Sequence, residues 1–111
     1  MSRDEDALLD IVERIDLIKR HGRTDVTVLR TDVTRQAAAL HWLLIIGEAA
    51  NRVSPQLKER HPEVPWREIV DFRNLVVHGY DQVRVEEVWR VIERDLPALE
   101  EQVRVILQEL R

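Results

Sequence analysis

The sequence predicts an all-α protein, a single-domain helical bundle of four main helices plus one short helix. Apolar residues recur at helical spacing along most of the chain, whereas the alternation typical of strands is nearly absent. The 111 residues can bury one hydrophobic core but are too few for two. No internal repeat, low-complexity segment or linker interrupts the pattern, so residues 1–111 are expected to form one domain.

The first helix is predicted from about Asp4 to Arg20. Acidic residues occupy its first turn, where they complement the helix dipole, and Gly22 stands beyond its end. A loop from roughly Arg23 to Arg30 is expected to follow. The apolar stripe of the helix consists of Leu8, Ile11, Val12, Ile15 and Ile18.

The second helix is longer and is predicted to start near Thr31 or Asp32 and to stop before Pro55. Glycine inside a helix costs about 1 kcal/mol relative to alanine, so its presence here calls for a reason. Small side chains let another backbone approach closely, and the sequence leaves open whether that backbone belongs to the same chain or to a second copy. The small residues are Ala37, Ala38, Ala39, Gly47, Ala49 and Ala50.

Proline and glycine mark the bounds of the next two helices. Ser54 is a predicted N-cap followed by proline, which indicates a short helix through Arg60. A rigid connector spans residues 61–65. Pro65 is expected to open a fourth helix that runs to His78, with Gly79 as its stop.

The last helix is predicted to start near Val83. Proline inside a helix removes a hydrogen bond and bends the axis, so we expect a kink at Pro97. The apolar face of this helix consists of Val85, Val88, Trp89, Ile92, Leu96, Leu99, Val103, Ile106 and Leu110.

Composition excludes several classes of chemistry. The chain has no cysteine, which removes disulfides, thiolate metal sites and cysteine nucleophiles. The four histidines lie 17 to 20 residues apart, without the short spacing of zinc ligands. With three glycines there is no phosphate-binding loop of a common type, and neither serine sits in a nucleophile elbow. We therefore expect no metal and no cofactor.

The overall charge and hydropathy bear on partners and location. A net charge of −4 argues against broad, non-specific binding to nucleic acids, which normally rests on a basic face. The charged N-terminus leads into no signal-peptide core, and no apolar run approaches the roughly 18 residues of a membrane span. The sequence therefore predicts a cytoplasmic protein with no membrane association.

Four polar side chains, those of Arg73, Asn74, His78 and Tyr80, cluster at the end of the fourth helix. Asn74 and His78 share a helix face, whereas Arg73 and His78 point about 140° apart on an ideal helix. One copy would make a poor compact site, but two copies across a two-fold axis could surround one phosphate. The alternative is structural: the histidine caps a helix end, the arginine is ion-paired and the tyrosine packs.

The run Arg73-Asn74-Leu75-Val76-Val77-His78-Gly79-Tyr80 resembles the signature of the HEPN superfamily, Arg-x4-His with a polar residue after the arginine. More narrowly it is similar to the HepT-like branch, which adds a tyrosine two positions after the histidine. Flanking stretches agree in order along nearly the whole chain. They are Ile46-Gly47-Glu48-Ala49-Ala50, His61-Pro62-Glu63-Val64-Pro65-Trp66, Val88-Trp89 and Asp95-Leu96-Pro97.

The resemblance implies an HEPN-like two-fold homodimer that is the toxin of a type VII toxin–antitoxin pair. Its activity would be that of a metal-independent endoribonuclease, with RNA rather than DNA as substrate and the 2′-hydroxyl as nucleophile. Arg73 and His78 would be the catalytic residues, with Asn74 in support of His78 or of a phosphate oxygen. The antitoxin would be an MntA-like nucleotidyltransferase that silences the toxin by transferring AMP to Tyr80.

Two questions stay open at this level. Glu48 lies in a helix segment that reads as buried, and a buried carboxylate needs a partner, for which Arg73 and Arg52 are candidates. An ion pair of structural purpose is the preferred interpretation. The competing function is that of a non-catalytic nucleotide-binding or scaffolding partner of a nucleotidyltransferase, which the acidic net charge fits equally well.

Overall fold

Seven α-helices follow one another in the computed structural model, which describes residues 2–21 and 26–110. A 3₁₀ turn, Tyr80–Gln82, follows the fifth helix, and a π-helical turn, Val91–Asp95, joins the last two. The described residues contain no strand, in agreement with the predicted fold class. The helices are α1 (Arg3–His21), α2 (Val26–Thr31), α3 (Val33–Arg52), α4 (Pro55–Arg60), α5 (Trp66–His78), α6 (Val85–Arg90) and α7 (Leu96–Glu109).

The core lies between α1, α3 and α7. The predicted apolar stripe of α1 is buried along its whole length, and this helix packs against both α3 and α7. From α7 the buried contribution comes chiefly from Leu99, Val103 and Ile106. Helix α5 packs on the other side of α3, so α3 is the central helix on which the rest is arranged.

Helix α2 corrects the prediction of a loop over residues 23–30. Its residues Val26, Thr27 and Val28 are β-branched and favour a helix only weakly, so no local signal indicated one. Leu29 is completely buried, and α2 packs against α3 and α6. Tertiary burial therefore stabilises a six-residue helix that would not persist alone. The predicted stop at Gly22 and the start of the loop lie outside the described residues.

Capping residues stand at two of the helix starts: Ser54 is the predicted N-cap of α4, and Asp32, near which α3 was predicted to begin, is the N-cap of that helix. The Asp32 carboxylate accepts a hydrogen bond from the Arg35 backbone N–H at 3.1 Å, and Ser54 Oγ accepts one from Leu57 N–H at 3.2 Å. Helix α5 differs slightly, because Pro65 is its N-cap rather than its first helical residue.

The last helix is divided in a way that the sequence did not indicate. It begins at Val85 rather than near Val83, and a π-helical turn stands where a kink at Pro97 was expected. Proline has no N–H to donate to the carbonyl four residues back. Just before it, the Leu96 N–H bonds to the Val91 carbonyl, five residues back. The hydrogen-bond register thus shifts ahead of the proline.

No helix within residues 2–21 and 26–110 combines the length and the apolar character needed to cross a bilayer.

Candidate active site

Helix α5 carries the predicted site residues, and its two buried residues, Trp66 and Val76, hold it in place. The Trp66 indole N–H donates to the His61 carbonyl at 3.0 Å, which ties the start of the helix to the connector. At the other end the Gly79 N–H donates to the Leu75 carbonyl at 2.7 Å. Gly79 has a φ of −136°, so the helix ends there as predicted but without a left-handed residue.

The closest approach of α3 and α5 is at Gly47. A methyl group on Gly47 would overlap Arg73 Cβ and lie 2.8 Å from its Cγ and 3.3 Å from the Ile69 carbonyl oxygen. Glycine is therefore required at this crossing. At Gly47, the backbone that comes close to α3 is that of α5 in the same chain.

Acceptors engage both terminal nitrogens of the Arg73 guanidinium. Nη1 donates to Asn74 Oδ1 at 2.8 Å, and Nη2 donates to Glu48 Oε1 at 3.3 Å. The Nε atom is enclosed and has no hydrogen-bond partner among the described residues. The side chain is 29% exposed, so its charged end still reaches solvent. The arginine is held in one place while N–H groups remain for a ligand.

Glu48 is not buried, contrary to the prediction, because its side chain is 47% exposed. It follows Gly47 along α3, and this position lies at the edge of the α3–α5 contact rather than inside it. Of the two candidate partners the structure selects Arg73. Arg52 pairs instead with Asp10, at 2.7 Å.

His78 stands apart from this cluster. Its side chain is exposed in the last turn of α5, and no hydrogen bond or ion pair joins it to another described residue. The Asn74 amide oxygen is bonded to Arg73, and no side-chain hydrogen bond joins Asn74 to His78 in the described part of the chain. The structure therefore groups Arg73, Asn74 and Glu48 and leaves the imidazole free to meet a ligand.

Tyr80 is the first residue of the 3₁₀ turn after α5. The modification expected at this position concerns its side chain, which lies outside the described part of the structure.

Beside the polar cluster, α5 presents apolar surface to solvent. Leu75 is 42% and Val77 is 46% exposed, close to Arg73 and His78 along the helix. The two residues are two positions apart, so they lie on different sides of the helix and expose apolar side chains in different directions.

A groove of about 600 Å³ separates α5 from the last two helices. Sequence analysis missed it, although α5 carries apolar residues on more than one side, which is the signal that could have indicated it. Its apolar lining includes Ile69, Phe72 and Leu75 from α5, Val91, Leu96 and Leu99 from the opposite wall, and Leu43 and Ile46 from α3.

The potential metal ligands do not converge. Within residues 2–21 and 26–110, no group of three or more His, Cys, Asp or Glu side chains is arranged to hold a metal ion. The polar groups of the signature that the structure describes at the end of α5 are a guanidinium, an amide and an imidazole.

Comparison with known proteins gives consistent results. The family model described as "Ribonuclease HepT-like" matches residues 9–106. A protein of Thermococcus cleftensis named "Probable ribonuclease HepT" is 36% identical over 96 residues, which cover 86% of this chain and 87% of that protein.

Two further relatives carry provisional RNase names. One, from Methanocaldococcus jannaschii, is 30% identical over 106 residues, covering 94% of this chain and 97% of the relative. The other, from Caldanaerobacter subterraneus, is 40% identical over 72 residues, covering 65% of this chain and 64% of the relative. No solved structure matches the chain significantly.

Proposed function

The chain belongs to the HepT-like ribonuclease family of HEPN proteins, and on that premise we propose that it is a metal-independent endoribonuclease, the toxin of a type VII toxin–antitoxin pair. The observation that carries the proposal is the contrast between the two signature side chains. Arg73 is held by Glu48 and Asn74, whereas the imidazole of His78 is exposed and unpaired among the described residues.

The chemistry needs only these groups, because RNA supplies its own nucleophile. One His78 imidazole accepts the proton of the 2′-hydroxyl as that oxygen forms a bond to phosphorus. A second imidazole donates a proton to the departing 5′-oxygen as its bond to phosphorus breaks, which leaves a 2′,3′-cyclic phosphate and a 5′-hydroxyl. Acid–base catalysis of this kind contributes about 10²–10⁴-fold. Arg73 binds the phosphate oxygens and stabilises their developing charge.

A composite site between two copies supplies the second imidazole. Arg73 and His78 project about 140° apart on an ideal helix, so a single copy surrounds a phosphate poorly. The exposed Val77 lies one turn from Arg73 on the same face and offers apolar surface that a two-fold related α5 can cover. Such pairing brings two Arg73 and two His78 side chains to one cleft, which concentrates positive charge despite the acidic net charge of the chain.

Silencing in this proposal occurs at Tyr80, two residues beyond His78. An MntA-like nucleotidyltransferase would transfer AMP from ATP to the tyrosine hydroxyl, whose oxygen bonds to the α-phosphorus and loses its proton as pyrophosphate leaves. The added phosphate brings negative charge and bulk to the end of α5, where it opposes the approach of an RNA phosphate.

The direct test is cleavage of RNA in EDTA by purified protein whose intact mass shows no AMP. The parent is compared with Arg73→Ala, with His78→Ala and with His41→Ala, a control at another exposed histidine, on α3. We expect cleavage by the parent and the control, and none by the other two. Equal cleavage by His78→Ala would point to another site or a contaminant. If all four are inactive as intact dimers, the non-catalytic nucleotidyltransferase partner becomes the better interpretation.

A subunit-mixing experiment tests the composite site. Parent protein is exchanged with an excess of His78→Ala, and the remaining cleavage is measured against the parent fraction. If both imidazoles are needed, only parent–parent dimers act, and activity falls as the square of the parent fraction. A linear fall would contradict a site that requires two copies of His78.

A further inference from the structure

We propose that Glu48 is a positioning residue for Arg73, which holds the guanidinium in the orientation that binds the scissile phosphate. The inference deepens the proposed function and rests on it. It depends on two contacts that Arg73 makes with adjacent residues of α3. Gly47 contacts the stem of the arginine, and Glu48 accepts a hydrogen bond from its charged end.

The stem of the arginine packs against α3. Arg73 Cβ and Cγ lie against the bare backbone of Gly47, in the space that any larger residue would need. Helix α3 therefore restricts where the stem can be, and the remaining freedom is that of the guanidinium group itself. Arginine has many rotamers, and ordering them at the moment of binding costs conformational entropy.

The guanidinium of Arg73 is held at both of its terminal nitrogens. Glu48 Oε1 accepts from Nη2, and Asn74 Oδ1 accepts from Nη1, at 3.3 and 2.8 Å. Each terminal nitrogen carries two N–H groups, so one on each remains for a ligand. Two parallel N–H groups are what the bidentate binding of two phosphate oxygens requires. The two acceptors thus arrange the arginine in advance without using up its donors.

The ion pair between Glu48 and Arg73 is not needed to hold the fold together. Glu48 is exposed and the charged end of Arg73 reaches solvent, and ion pairs that solvent reaches contribute little to stability. The α3–α5 contact depends instead on Gly47 and on buried side chains. Loss of Glu48 should therefore leave the fold intact and change what the arginine does.

The charge of Glu48 predicts a split between the kinetic constants. A carboxylate beside Arg73 offsets part of its attraction for an RNA phosphate in the ground state. Its removal should strengthen RNA binding while the misplaced guanidinium slows the chemical step, so KM and kcat fall together. A variant that merely weakened the fold would not lower KM.

The experiment measures kcat, KM and Tm for Glu48→Ala and Glu48→Gln beside the parent. Glutamine keeps an oxygen that can accept from Nη2 but has no charge. The matched control is Asp10→Ala, which removes another ion pair of α3, between Asp10 and Arg52. All four proteins are expected to have similar Tm values.

We expect Glu48→Ala to lower both kcat, by about tenfold, and KM, because a displaced catalytic group loses much of its effect and the charge that opposes RNA binding is gone. Glu48→Gln should recover most of kcat and keep the lower KM, and Asp10→Ala should match the parent. Parent-like kcat in Glu48→Ala, or equal loss in both Glu48 variants, would overturn the positioning role while the ribonuclease stands. A parent that cleaves no RNA would overturn both.

Discussion

Arg73 lies so close to Gly47 that the side-chain stem of the arginine fills the space a methyl group on the glycine would need. The central helix α3 and the helix that carries the candidate site are in contact at this point. Stability and the placement of the guanidinium therefore depend on the same pair of residues, and substitutions nearby can separate the two effects.

Gly47→Ala should destabilise the protein, because its Cβ is anchored to the backbone and cannot turn away from Arg73. Overpacking of this kind costs about 1–3 kcal/mol, from which the better helix propensity of alanine recovers about 1 kcal/mol. Thermal unfolding should show a Tm lower by several degrees. The control is Gly79→Ala, whose Cβ would meet the Leu75 carbonyl oxygen at 3.2 Å and otherwise only ordinary contacts. Equal Tm values for the two variants would contradict this account.

Arg73→Lys should lose most of the cleavage activity although the charge is kept. A lysine has one terminal nitrogen and cannot bond to Glu48 and Asn74 while it offers a two-pronged site to phosphate. We expect kcat to fall by about 10²-fold, comparable to the loss of a donor in an oxyanion hole. Arg52→Lys, at another ion pair of α3, should cleave RNA like the parent. Activity of Arg73→Lys near the parent's would show that charge alone suffices.

Asp4→Ala should weaken the attachment of α1 to the start of α4. The Asp4 carboxylate accepts from the Ser54 backbone N–H at 2.8 Å and from Ser54 Oγ at 2.7 Å. Its loss leaves a partly buried donor unpaired, which costs about 1–3 kcal/mol. Urea unfolding measures the change, with Asp6→Ala as the control in the same first turn of α1. Equal losses would assign the effect to the helix dipole rather than to Ser54.

Glu100 provides a pH-dependent contribution to stability. Burial raises the pKa of its carboxyl, but hydrogen bonds from Arg104 and Lys19 and the positive charges of these side chains together outweigh burial and hold the pKa below its ordinary value. A carboxyl with a lowered folded-state pKa stabilises the protein above its ordinary pKa, and this effect is lost as the pH falls through the folded value. Glu100→Gln should therefore lower the Tm at pH 7.

The same comparison at acid pH tests the cause. Once the pH is below the folded-state pKa of Glu100, the parent carboxyl is protonated and the difference between parent and Glu100→Gln should vanish. Glu101→Gln, at an exposed neighbour, is the control and should show little change at either pH. A Tm difference for Glu100→Gln that is constant from pH 7 to acid would argue against an ionic origin.

Local patterns were sufficient for the fold class and for most helix bounds. A short stretch of sequence contains the signal for each of these features, because helical periodicity and hydrogen bonding at helix ends act between residues close in the chain. The features are the apolar stripe of α1, the start of α3 near Asp32, the N-cap Ser54 and the stop at Gly79. The same holds for membership in the HepT-like family, because the motif from Arg73 to Tyr80 is contiguous in the sequence.

Tertiary packing alone decided the features that join distant segments. Helix α2 exists because Leu29 is buried against helices elsewhere in the chain. The exposure of Glu48 and its choice of Arg73 depend on the register of α3 against α5, which no local rule specifies. That register follows from the contact at Gly47, where the absence of a side chain lets α3 and α5 meet although 25 residues of chain separate Gly47 from Arg73.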